Sequence, residues 1–131
     1  ENIPAYQQEV AQLAEKKQQE TYQAPLTQHT LTYLEKMVAT ARDTGAQPIF
    51  VVAPTTVYQE TIHRAFHQNK IEHLLTFNDP NLFPELFAPE NRKDWDHLHP
   101  QGAQQFTKLL AKAFLMETEE GFSIAAGLLH P

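Results

Sequence analysis

The sequence predicts one α/β layered domain with a mainly parallel sheet. Three observations carry that expectation. Two short apolar runs, Pro48–Pro54 and Leu74–Phe77, read as strands. The segment between them has helical spacing, so strand, helix and strand follow in the order of a parallel crossover. At 131 residues, 41% of them hydrophobic, the chain has material for one core of ordinary domain size.

The elements follow in order. From Pro4 to Gln23 the chain is rich in Gln, Glu and Lys, with Val10, Leu13 and Ala14 as a thin apolar stripe. Such a stripe predicts a mostly solvated, peripheral helix within residues 1–24. Pro25 breaks it. Leu31, Leu34, Val38 and Ala41 then recur at steps of three and four, an amphipathic helix that Gly45 should end. The β-branched and aromatic run Pro48–Pro54 predicts a strand buried on both faces, at the sheet's centre. Thr56 and Gln59 fit a capping box, and Tyr58, Ile62, Ala65 and Phe66 carry a helix to about Lys70.

After Leu74–Phe77, the stretch from Asn78 to Trp95 holds Pro80, Pro84 and Pro89 among Leu82, Phe83, Leu86 and Phe87. That mixture predicts a packed, ordered loop with one helical turn, and long loops of this kind are often functional. A last helix runs from Pro100 to about Met116, with Ala103, Phe106, Leu109, Leu110, Ala113 and Phe114 on one face. Residues 118–131 have no clear period and read as a tail. Two strands do not make a stable sheet, so the sequence either holds a further strand without a clear pattern, or the sheet is completed by missing sequence or by a second copy in a homodimer.

Composition narrows the function. A formal net charge of −6 and the lack of any Lys/Arg cluster argue against a nucleic-acid partner. No apolar stretch approaches the roughly 20 residues that cross a bilayer, and the first residues lack the order of a signal peptide. The start at Glu1 rather than Met leads us to expect missing upstream sequence. With no cysteine, disulfides and thiolate chemistry are excluded. The single serine, Ser123, sits in Gly-Phe-Ser-Ile-Ala, which is neither a Gly-x-Ser-x-Gly elbow nor a Gly-Asp-Ser turn.

The densest polar group is Asp94-Trp-Asp-His-Leu-His-Pro-Gln-Gly102, between the loop and the last helix. A histidine there can serve as general base. An acid three residues earlier can accept its Nδ1 proton, fixing the tautomer and stabilising the imidazolium. Gly102 would let the turn pass close to the site, and Pro100 would set φ at the helix start. The plain alternative is an acidic N-terminus that favours the helix dipole. Thr55 and Thr56, at the end of the first strand, lie where α/β sheets place binding residues, although such threonines more often cap the following helix. Glu60, His63 and His67 share a helical spacing, but without the His-Glu-x-x-His order; neither they nor the His97/His99 pair are taken as metal ligands, and no cofactor is expected.

The block Asp94-x-x-His97-Leu-His-Pro-Gln-Gly102-Ala, with Phe106 and a Leu/Ala helix after it, resembles the last conserved block of the SGNH (GDSL-like) hydrolases. Its nearest flavour is the extracytoplasmic acyl-transfer branch, whose block reads Asp-x-x-His-Leu-Asn-x-x-Gly-Ala. Gln47 to Pro54 and Phe77 to Phe87, with its Asp79-Pro-Asn-Leu-Phe83, are similar to neighbouring parts of that family. Together these cover roughly half the chain. The resemblance implies a three-layer flavodoxin-like fold of which only the C-terminal half is present, with His97 as base and Asp94 as its orienting acid. It also implies an acyl ester or cell-surface polysaccharide substrate and an extracytoplasmic location.

This sequence departs from the family pattern in two ways. His99 stands where that branch has Asn, which opens a competing register, Asp96-x-x-His99; the five-residue interval from His97 to Gly102 favours Asp94 and His97. The family's Gly-Asp-Ser nucleophile, its oxyanion glycine and its Gly-x-Asn-Asp block are absent, and Asn78-Asp79 lacks the glycine needed to stand in for the last. A base without a nucleophile or oxyanion donors does not run acyl transfer, so the chain is not expected to be a complete enzyme. The other expectation is a non-catalytic α/β domain that binds a partner through the loop from Asn78 to Trp95 or assembles with itself.

Overall fold

Two strands, β1 (Phe50–Val52) and β2 (Leu74–Thr76), lie parallel at the middle of a computed structural model, with Val51 opposite Leu75. The structure describes the backbone of residues 2–129 and the side chains of residues 2–118. Around the strands come α1 (Ile3–Gln19), α2 (Gln28–Asp43), α3 (Glu60–His67), α4 (Pro84–Phe87), a 3-10 turn at Pro89–Asn91, and α5 (Pro100–Leu129). The protein is therefore a mixed α/β chain with a small parallel sheet.

Successive residues of a strand point to opposite faces, and the two cores follow that alternation. Phe50 and Leu74 pack with Leu34 of α2 and with Ala65 and Ile71. Leu75 and Phe77 pack with Leu13 of α1, Leu86 and Phe87 of α4, and Phe106 and Leu109 of α5. Helices thus pack against both faces of β2, though not of β1. Burying side chains such as Leu13 and Leu86 supplies about 1.5–3 kcal/mol each.

The helix ends follow local chemistry. Asn2 Oδ1 accepts from the Ala5 amide at 3.1 Å, and Thr27 Oγ1 caps α2 by accepting from Thr30 N. At the far end of α2, Gly45 adopts φ +81, and the Gly45 and Ala46 amides donate to the carbonyls of Arg42 and Ala41, a Schellman closure. The expected stop at Gly45 is where the helix ends.

Several expectations are corrected. The first strand is not the sheet's centre and is not covered on both faces. It is one of two strands among the described residues, and Val51, whose side chain is in neither core, is 47% exposed. Thr56 does not cap the next helix: α3 begins at Glu60, and Thr55 Oγ1 accepts from the Val57 amide, holding the chain in a turn instead. Phe114 is exposed rather than on the buried face of α5. The expected tail is helical as far as Leu129, and the side chain of Ser123 lies outside the described residues. No helix among the described residues is long and apolar enough to cross a membrane.

Candidate functional site

Beyond the 3-10 turn the chain makes a tight excursion before α5. Arg92 and Leu98 form an antiparallel bridge, the Lys93 amide donates to the His97 carbonyl at 2.9 Å, and the His99 amide donates to Asn91 O at 2.8 Å. Asp94 sits inside this loop. Its Oδ1 accepts from the backbone amides of Asp96 (2.9 Å) and His97 (2.8 Å), the local bonding that Asp favours in turns. His97 Nδ1 donates to the same carboxylate, 2.8 Å from Oδ1 and 3.0 Å from Oδ2.

The hydrogen bond from His97, followed by that from the Asp96 amide, holds the Asp94 carboxyl below its ordinary range. The acid is an anion at neutral pH, and Nδ1 of His97 carries the proton. In the neutral imidazole that bond leaves the lone pair on Nε2, on a side chain that is 73% exposed. A cleft of about 310 Å3 opens beside Asp94, walled by Ile3 and Tyr6 of α1 and by Pro89 and Trp95.

The seat of this loop depends on two residues that sequence reading treated differently. A Cβ at position 102 would come within 2.3 Å of Asn91 O, so only glycine lets the first turn of α5 approach the 3-10 turn. The expected role of Gly102 was close passage, and its partner is the Asn91 carbonyl. Arg92 was not singled out. It is 7% exposed, and its guanidinium donates to the carbonyls of Pro54, Leu86 and Trp95. A basic residue beside Lys93 and ahead of two acids reads in sequence as solvated surface; only the fold shows carbonyls converging on it.

The remaining candidates fall into place around these. Thr55 Oγ1 reaches Asp96 Oδ1 at 3.5 Å, linking the end of β1 to the loop, while Asp96 and His99 share no hydrogen bond among the described residues. Thr56 makes no side-chain hydrogen bond to a site residue among the described residues. Glu60 pairs with Arg64, His67 stacks on Tyr22 with ring centroids 3.9 Å apart, and His63 is buried, so the three do not converge.

His63 belongs to a second polar group that the sequence did not reveal. Its Nε2 lies 3.1 Å from Oδ1 of fully buried Asn78, which also accepts from Thr76 Oγ1 at 3.0 Å. Burial, then the charge of Lys17, pushes the His63 pKa down. Around it stand Glu20, bonded to the Tyr58 hydroxyl, and Tyr22, held at φ +60 by bonds from its amide to Glu20 and from Gln68 to its carbonyl. This group ties the connection after α1 to α3 and β2. Comparison of the chain with known protein-family models, with curated proteins and with solved structures finds no match.

Proposed function

We propose that the Asp94–His97 turn is the general-base part of an acyl-transfer site of SGNH type, within a flavodoxin-like α/β domain whose serine and oxyanion donors lie outside the described residues. The observation that supports this reading is the pairing itself. Asp94 accepts the hydrogen bond from Nδ1–H of His97, which leaves Nε2 of the exposed ring as the base. In the reaction, a serine oxygen attacks the ester carbonyl while His97 Nε2 takes the hydroxyl proton. Collapse of the tetrahedral species expels the alcohol, which leaves with that proton. Water or a sugar hydroxyl then attacks the acyl-serine, His97 again taking the proton and returning it to the serine. Asp94 stays ionised throughout and steadies the imidazolium. The resemblance on which this rests adds an acyl ester, including one on a cell-surface polysaccharide, as substrate, and an extracytoplasmic setting.

The test is hydrolysis of p-nitrophenyl acetate by the full-length gene product. His97→Ala should lower kcat by roughly a thousandfold or more, and Asp94→Asn by a comparable amount through loss of the tautomer. Unchanged turnover in both variants would sink the reading.

One observation favours a second reading, a domain that assembles through its sheet. Among the described residues no strand pairs with the outer edge of β1, where Val51 is exposed, and an apolar edge strand is a template for pairing. On that reading the chain sediments as a dimer and Val51→Lys makes it monomeric. A wild-type chain that stays monomeric at high concentration in sedimentation equilibrium rules it out.

A further inference from the structure

Arg92 has an environment unlike that of an ordinary core or surface arginine. It is more than nine-tenths buried, and no carboxylate lies within salt-bridge distance among the described residues, Asp94 and Asp96 acting on it only at longer range. Burial works against its charge, and Tyr6, Asp96 and Asp94 offset that in part. A buried ion without a paired counter-ion is a poor way to gain stability, since apolar side chains of similar volume usually serve as well or better. What an apolar side chain cannot do is bind three carbonyl oxygens from three segments. Arg92 does: Nη1 donates to Pro54 O just past β1 (3.1 Å) and to Leu86 O in α4 (3.4 Å), and Nη2 donates to Trp95 O (2.5 Å). Trp95 lies between Asp94 and Asp96, so the last bond grips the turn that carries the pair.

We propose that Arg92 is the positioning residue of the Asp94–His97 pair, its guanidinium fastening their turn to the C-terminal end of β1. The bonds within the turn bring His97 onto Asp94, but none of them fixes where the pair stands relative to the sheet. Among the described residues, two hydrogen bonds reach from the loop to the strand end, the Thr55–Asp96 contact at 3.5 Å and the Arg92 bond to Pro54 at 3.1 Å. The first is at the limit of hydrogen bonding, so the second dominates. Among the described residues the Nε of Arg92 is buried without a partner, so the hydrogen bonds of the fork go to the carbonyls. The inference rests on the reading of His97 as base for its catalytic meaning, while the positioning itself is measurable without turnover.

The experiment is NMR of the full chain and of Arg92→Lys and Arg92→Met, with two readouts: the NOE contacts between Asp96 and Thr55, which report the seat of the turn on the strand end, and the 15N signals of the histidine rings, which report the pair within the turn and His63 at Asn78. Arg92→Met should lose the contacts between Asp96 and Thr55, while His97 keeps its bond to Asp94 and His63 is unmoved. Arg92→Lys, with the charge but no fork, should fall between. If the contacts between Asp96 and Thr55 persist in Arg92→Met, the proposal is overturned. If His63 shifts as well, Arg92 supports the fold at large rather than the pair, and the proposal is equally overturned. Should Arg92→Met fail to fold, Arg92→Lys decides alone: wild-type contacts in it overturn the proposal, and their selective loss upholds it. Failure of the acyl-transfer reading has a different mark, since His97→Ala would then leave ester hydrolysis unchanged wherever the turn is seated.

Discussion

Two histidines of this chain carry opposite consequences of burial. His97 stands in solvent, where its bond to Asp94 orients the ring but contributes little to stability, as for most exposed ion pairs. His63 is enclosed among Lys17, Glu20, Tyr22, Thr76 and Asn78, and its pKa lies below the ordinary 6.5. The unfolded chain then binds a proton more readily than the folded one as pH falls through about 6.5. Stability present above that pH is lost progressively below it, until the folded pKa is reached. We expect the urea midpoint to fall between pH 7.5 and pH 5.5, and His63→Gln to flatten that dependence. A slope unchanged in His63→Gln would assign the pH response to another group. At this scale the pair Asp94 and His97 was legible in the sequence because their bond spans three residues. His63 with Asn78, and Arg92 with Pro54, were not, because their partners lie 15 and 38 residues away.

The elements show the same division between local and distant causes. The end of α2 at Gly45 could be read from the glycine alone, since positive φ is a property of that residue in its own turn. The start of α3 could not. Thr56 and Gln59 offered a capping box, but Thr55 took the Val57 amide first and moved the helix to Glu60. At α5 the decisive contact is between elements: its first turn rests on the 3-10 turn through Gly102, with no room for a methyl group. Gly102→Ala should therefore force the two apart at a cost of about 1–3 kcal/mol, the range for overpacking. Chemical denaturation would show it as a lower midpoint with an unchanged m-value. An equal midpoint would mean that the approach is looser than described.

Across the described residues, the strands contribute side chains to both cores. Phe50 and Leu74 serve one face, Leu75 and Phe77 the other, so neither core can be dismantled without removing side chains that align the second. Unfolding should accordingly be a single transition, as for most small domains. Fluorescence of Trp95, the chain's one tryptophan, and far-UV circular dichroism should trace coincident urea curves. Separate midpoints would show that the cores melt independently. Parallel pairing of the strands on either side of α3 was readable from the order of apolar runs. The exposure of Val51 was not, because the composition of a strand records what it is suited to touch and says nothing of whether a neighbour is there.

The bonds that make the Asp94–His97 turn differ sharply in reach, and this has a consequence for how the site comes into being. Contacts three residues apart close within tens of nanoseconds to microseconds, whereas joining Arg92 to Pro54 requires 38 residues of chain to be brought together and the strand to exist. Histidine and aspartate should therefore find each other during the earliest stages of folding, in a chain that still has no sheet. Their seat at the strand end is among the last things to form.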